Sequence, residues 1–219
     1  LENLERRFYE DGATGLPNRE RLAMDIDGTG NSREFVFAIA EIANMSELGL
    51  LFGYELTDKI LAHATASIGD AVRSRGGKLY RLHGPSFGIF RDISGACPPD
   101  FKARFIDQIA KALEGDALRM EDREFPLKWR IGAQASGVND VRGFLSRSDA
   151  ALKFADKAKV ATAWYREGME ERTNAAENLR IYAILRECFR DGSARVAFQP
   201  VFRSDSGGLG FREALIRVP

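Results

Sequence analysis

Arg33-Glu34-Phe35-Val36-Phe37-Ala38-Ile39-Ala40-Glu41-Ile42 is the stretch on which the fold turns. From Phe35 to Ala40 it carries no polar residue, the pattern of a central strand covered on both faces. Such a strand needs helices on either side, and the flanking sequence supplies them. Tyr54 to about Arg75 has helical periodicity, with Leu56, Ile60, Leu61, Ala64 and Ile68 on one stripe and Gly76-Gly77 as its stop. Pro98-Pro99 opens a second helix to about Leu113, and Val141 to Lys159 reads as a third. Between them lie two short strands, Lys78 to His83 and Phe87 to Asp92, joined by Gly84-Pro85-Ser86 in a hairpin with an exposed tip. A strand from Phe125 to Gln134 and a last one near Thr162–Tyr165 complete the pattern. The expected fold class is α/β (α+β), a central mixed β-sheet flanked by helices.

Outward from this core, Leu1, Leu4 and Phe8 fall on one helical stripe, so residues 1–10 are expected to be the end of a helix arriving from upstream. Asp11-Gly12-Ala13-Thr14-Gly15-Leu16-Pro17-Asn18-Arg19 is dense in turn formers, and Asn18 is placed to cap a short helix. Downstream, Glu167 to Asp191 reads as a charged connecting helix with Leu179, Tyr182, Ala183, Leu185 and Phe189 apolar. Arg195 to Phe202 and Gly210 to Val218 then read as two strands around Asp205-Ser206-Gly207-Gly208. An isolated hairpin is marginal in water, so these residues are expected to begin a second domain. The organisation expected is 1–10 incoming helix, 11–166 first domain, 167–191 connecting helix and 192–219 the truncated start of a second domain.

Charge narrows the function classes. Lys plus Arg and Asp plus Glu each number 32 in 219 residues, so broad electrostatic binding of a nucleic acid polymer is excluded and an anion must be held locally. No stretch has the roughly 20 apolar residues of a membrane span. Cys97 and Cys188 lie far apart in no metal-binding spacing, which suits a reducing cytoplasm and core-filling thiols.

Three segments together resemble the GGDEF family, the diguanylate cyclase fold whose active members condense two GTP into cyclic di-GMP. Asp11 to Arg19 is similar to D-x-L-T-G-L-P-N-R, with Ala13 for the leucine. Arg81-Leu82-His83-Gly84-Pro85-Ser86-Phe87 stands at R-x-G-G-D-E-F, and Ser148-Asp149-Ala150-Ala151-Leu152-Lys153-Phe154-Ala155-Asp156 is close to A-D-x-A-L-Y-x-A-K. The final residues resemble the N-terminus of an EAL domain, the cyclic di-GMP phosphodiesterase family. Phe198-Gln199-Pro200-Val201 matches Y-Q-P-I, and Glu213-Ala214-Leu215-Ile216-Arg217 matches E-A-L-x-R.

The resemblance implies a nucleotidyl-cyclase-like GGDEF fold, then a connecting helix and the first β-hairpin of an EAL barrel. It also implies that no intact catalytic set remains at His83, Gly84, Pro85, Ser86 and Phe87. Phosphoryl transfer needs carboxylates to hold Mg²⁺ against the triphosphate. The strand-end acid is Glu41, but the hairpin acids fall on Pro85 and Ser86, and proline also removes a backbone donor. Of the guanine-reading positions, one is Gly49 and the other Asp58; the phosphate-binding lysine and arginine fall on Asp156 and Val160. Glu41 and Asp58 are thus the nucleotide-binding remnant, with the plainer readings of a satisfied strand-end carboxylate and an exposed helix charge beside them; His83 is weighed as a surface residue. Arg73-Ser74-Arg75-Gly76 lacks the acid of the R-x-x-D product-inhibition motif. In a complete EAL domain Glu213 would be the first metal ligand, for Mg²⁺ or Mn²⁺, while Gln199 and Arg217 would line the cyclic di-GMP groove.

The expected function is therefore a catalytically inactive GGDEF domain regulating a C-terminal EAL phosphodiesterase, through GTP binding or homodimerisation. The alternatives are an interaction platform without nucleotide and a residual cyclase.

Overall fold

The computed structural model describes residues 8–28, 34–93, 97–120, 122–135, 141–169, 174–203 and 207–217. Residues 1–7 of the expected incoming helix, 170–173 of the connecting helix, and Asp205 and Ser206 of the last turn lie outside the described residues. The chain divides into two compact units, Leu1–Glu170 and Glu171–Pro219.

In the first unit the apolar run forms β1 (Glu34–Ile42) at the centre of a five-stranded sheet. The other strands are β2 (Lys78–Arg81), β3 (Ser86–Ile93), β6 (Trp129–Ala135) and β7 (Thr162–Trp164), in the order β2-β3-β1-β6-β7. The pairs of β1 with β3 and β6 are antiparallel and β6 runs parallel to β7, so the sheet is mixed. Alternate β1 side chains feed two cores. Val36, Ala38, Ala40 and Ile42 face a core shared with α3 (Tyr54–Arg73) and α4 (Phe101–Ala112), while Phe35, Phe37 and Ile39 face one shared with α1 (Arg19–Asp27) and α5 (Val141–Ala158).

Close approach of α5 to the sheet rests on Gly132. A Cβ there would lie 2.2 Å from Leu152 N and Ser148 O, inside any van der Waals contact. On the other face, Asp116 gathers three partners, two from α3 and one from β6. His63 Nε2 is 2.8 Å from Oδ1, Ser67 Oγ donates to Oδ1 at 3.1 Å, and Trp129 Nε1 donates to Oδ2 at 2.9 Å.

The structure revises three expectations. The single strand Phe125–Gln134 is two: β5 (Arg123–Pro126) pairs with β4 (Ala117–Met120), and β6 starts afresh at Trp129. The break is held by Asn44, whose Oδ1 accepts from Lys128 N at 2.8 Å and whose Nδ2 donates to Pro126 O at 2.9 Å. A short helix, α2 (Met45–Phe52), follows Asn44 where no element was expected. The hairpin tip is shorter than expected: His83 and Gly84 are exposed, but Ser86 is only 1% exposed and belongs to β3.

The Asp11–Arg19 turn closes as its residues suggest. Asp11 Oδ1 accepts from Thr14 N and Oγ1 at 2.9 and 2.7 Å, Gly15 adopts φ +67°, and Asn18 Oδ1 accepts from Arg21 N at 3.1 Å. The second unit consists of α6 (Asn174–Asp191) and an antiparallel hairpin of β8 (Arg195–Phe202) and β9 (Leu209–Arg217).

Two outcomes test these assignments. Gly132→Ala should destabilise the first unit by about 3 kcal/mol in denaturant unfolding, because backbone rather than a movable side chain opposes the methyl group. Asp25 accepts from Tyr80 Oη at 2.5 Å and Lys78 Nζ at 3.0 Å; desolvation raises its pKa, but these bonds outweigh it and leave it below the usual carboxylate range. The stabilisation is present above the unfolded-state pKa and lost as pH falls through the lower folded value. Asp25→Asn should therefore cost about 1 kcal/mol at neutral pH, and its deficit against the parent should shrink below about pH 4 in pH-dependent melting.

Candidate functional site

The strand-end acid and the hairpin meet through the sheet register. Glu41 of β1 is paired with Ser86 of β3 on one side and Arg130 of β6 on the other. Ser86 Oγ donates to Glu41 Oε2 at 2.6 Å, so this carboxylate accepts a hydrogen bond from the residue at the second hairpin-acid position. Pro85 O accepts from Ile42 N at 3.3 Å, drawing the turn towards the end of β1.

Arg81 closes the hairpin from within. Only 7% exposed, it donates from Nη1 to Ser86 O at 2.8 Å and from Nη2 to Gly84 O, and its guanidinium lies 5.2 Å from the Phe87 ring centroid. Burial pulls its pKa below the ordinary guanidinium value, against the opposing charge of Asp11. Its backbone N donates to Pro17 O at 2.7 Å, tying the hairpin to the Asp11–Arg19 turn. Sequence reasoning quoted Arg81 only as a motif letter; its buried guanidinium organises the turn.

The other positions spread along the rim. Asp58 is exposed on α3. A Cβ at Gly49 would lie 3.3 Å from Thr57 Oγ1, so a side chain at this guanine-reading position would displace Thr57. Asp156 is exposed at the end of α5, 3.1 Å from Lys159 Nζ and 3.9 Å from Arg130 Nε. These two cations meet an acid rather than facing an open phosphate site. Val160 is 41% exposed. In the Arg73–Gly76 segment, Arg73 pairs with Asp70 at 3.0 Å, and the acid position of the motif falls on Gly76, which adopts φ +69° and whose Cβ would run into the Arg91 guanidinium.

No cluster of three or more His, Cys, Asp or Glu suited to a metal occurs among the described residues. Glu41 accepts from Ser86, and the two hairpin-acid positions, Pro85 and Ser86, offer it no second carboxylate.

In the second unit Gln199 lies directly across from Glu213, and Arg195 from Arg217. Strand alternation places Gln199, Glu213 and Arg217 on one face of the hairpin, and all three are exposed. Val196, Phe198 and Ile216 occupy the other face and are also exposed.

A family model described as "Diguanylate cyclase, GGDEF domain" matches residues 8–161. No curated protein matches the chain. Among solved structures, the diguanylate cyclase SiaD from Pseudomonas aeruginosa, in complex with its activator SiaC, aligns with a TM-score of 0.61 at 17% identity, over 72% of this chain and 61% of that one. The coiled coil and GGDEF domain of DgcB from Caulobacter crescentus, in complex with c-di-GMP, gives 0.62 at 16% identity over 74% and 88%. The S helix-GGDEF-EAL portion of Vibrio cholerae LapD, bound to c-di-GMP, gives 0.61 at 16% identity over 100% of this chain and 51% of that one. The chain thus spans about three fifths of SiaD and half of the LapD fragment, and at these identities the likeness is one of fold.

Ser86→Ala removes the donor to Glu41 without adding bulk. It should cost about 1–2 kcal/mol in urea unfolding, whereas Asp58→Ala should change stability by less than about 0.5 kcal/mol.

Proposed function

The chain belongs to the GGDEF family, and from that membership we propose that residues 11–166 serve cyclic di-GMP signalling as a regulatory rather than a catalytic domain. The observation that carries this reading is the Ser86–Glu41 hydrogen bond. Where two-metal chemistry would need a second acid facing the strand-end carboxylate, a hydroxyl takes its place. Pro85 supplies a carbonyl but no side-chain ligand, and Asp156 brings negative charge to a phosphate-binding position. GTP, on this reading, is a signal rather than a substrate.

The reading extends to residues 192–219 as the start of an EAL domain, with 167–191 relaying the state of the first domain to it. Glu213 would contribute the first ligand for Mg²⁺ or Mn²⁺, and Gln199 and Arg217 would line the cyclic di-GMP groove once later strands complete the site. Their common hairpin face and the S helix-GGDEF-EAL order of the LapD relative support this assignment. The setting proposed is the cytoplasm, where GTP and cyclic di-GMP are found; the free thiols suit it, although only Cys188 fills a core as expected and Cys97 is exposed. No helix among the described residues is long and apolar enough to cross a membrane.

A second reading, a homodimerising interaction platform without nucleotide, draws on the exposed Ile181, Tyr182, Ile184 and Phe189 of α6.

Incubation with GTP and Mn²⁺ followed by chromatography should give no cyclic di-GMP; any product would overturn the regulatory reading. Calorimetric titration with GTP, with and without Mg²⁺, separates the two readings. Saturable heat supports nucleotide sensing. Silence up to about 1 mM, with concentration-dependent sedimentation, supports the platform.

A further inference from the structure

One cavity of the first unit plays no part in the reading above. It measures about 410 Å³ and lies on the α1/α5 side of the sheet, two residues back along β1 from Glu41. Its floor is apolar: Ile39 of β1 is only 3% exposed, and Leu82 and Leu145 pack against the same core. Arg19, His83 and Asp149 stand on its rim. The rim charges are unequal in their partners. Asp149 is held by Lys153 at 2.8 Å, whereas Arg19, exposed at the start of α1, makes no ion pair among the described residues.

An apolar floor beneath one uncompensated guanidinium selects by chemistry. A cation would meet Arg19 as a like charge, and a purely apolar molecule would leave that charge unused. A flat ring bearing one carboxylate satisfies both surfaces: the ring covers Ile39, Leu82 and Leu145, and the carboxylate takes the two parallel donors of Arg19. The volume lies within the range of small-molecule sites, about 300–1,000 Å³. We infer that this cavity is a binding site for a small aromatic carboxylate.

Occupancy would reach the hairpin through His83. The His83 carbonyl accepts from Ser86 N at 2.9 Å, and Ser86 carries the bond to Glu41. A ring set against the His83 side chain therefore presses on the residue that positions Ser86. The inference does not rest on the regulatory reading, since the cavity is built from other side chains and needs neither GTP nor an EAL domain.

The test is titration of the full 219-residue chain with cinnamate, read by amide NMR. Saturable shifts should appear at Leu82, His83, Leu145 and Ser146 below about 1 mM, and cinnamylamine, the same skeleton with a positive head, should leave these amides unmoved. Arg19→Gln, at an exposed position, should weaken cinnamate binding about tenfold. Ser146→Trp, which plugs the mouth from an exposed helix position, should abolish the shifts while the rest of the spectrum stays folded. Absence of saturation, equal binding of the amine, shifts confined to other surfaces, or an affinity unchanged by Arg19→Gln would each overturn the assignment.

Discussion

The approach of α5 to β6 over Gly132 is the constraint on which the first unit depends. With no side chain at that position, the backbone at Ser148 and Leu152 reaches the sheet surface, and every residue further along α5 is placed from that point. Asp149 and Leu145 are thereby set against the α1 side of β1, and Asp156 comes within 3.9 Å of Arg130 Nε on β6. A larger residue would lift the helix and separate these groups together, so one glycine sets the geometry of both the rim charges and the cavity.

Three acids of this domain act as acceptors that join elements. Asp116 binds groups from α3 and β6, and Asp25 binds two β2 side chains and sits 3.3 Å from Arg21 Nε of its own helix. Glu41 follows the same rule in joining β1 to β3. A carboxylate committed in this way has less capacity left for a metal, because its lone pairs already serve the fold.

Legibility in the sequence followed the range of the forces involved. β1, α3 and the hairpin were readable because periodicity and turn residues are local signals. α2 was not: Met45-Ser46-Glu47-Leu48-Gly49-Leu50-Leu51-Phe52 is short, its apolar residues circle the helix, and its start is anchored by Asn44 to residues more than eighty positions away. The same long-range bonds split the strand expected from Phe125 to Gln134. At the site, motif position located Glu41, Pro85 and Ser86, but only the register revealed that Ser86 bonds to the acid it faces. The cavity over Ile39 had no sequence signal, since α1, β1, the hairpin and α5 each contribute only one or a few residues.

The five-stranded sheet and the β8–β9 hairpin differ in how their margins are protected. In the first unit, the outer strand β2 meets the Asp11–Arg19 turn through Arg81 N and Pro17 O, and the opposite margin is the three-residue β7. The β8–β9 hairpin has no third strand among the described residues and carries bare aromatic side chains at Phe198, Phe202 and Phe211. During synthesis the first unit emerges earlier and can close before the hairpin leaves the ribosome. The segment most prone to pair with other chains thus emerges only after the first unit has had time to fold.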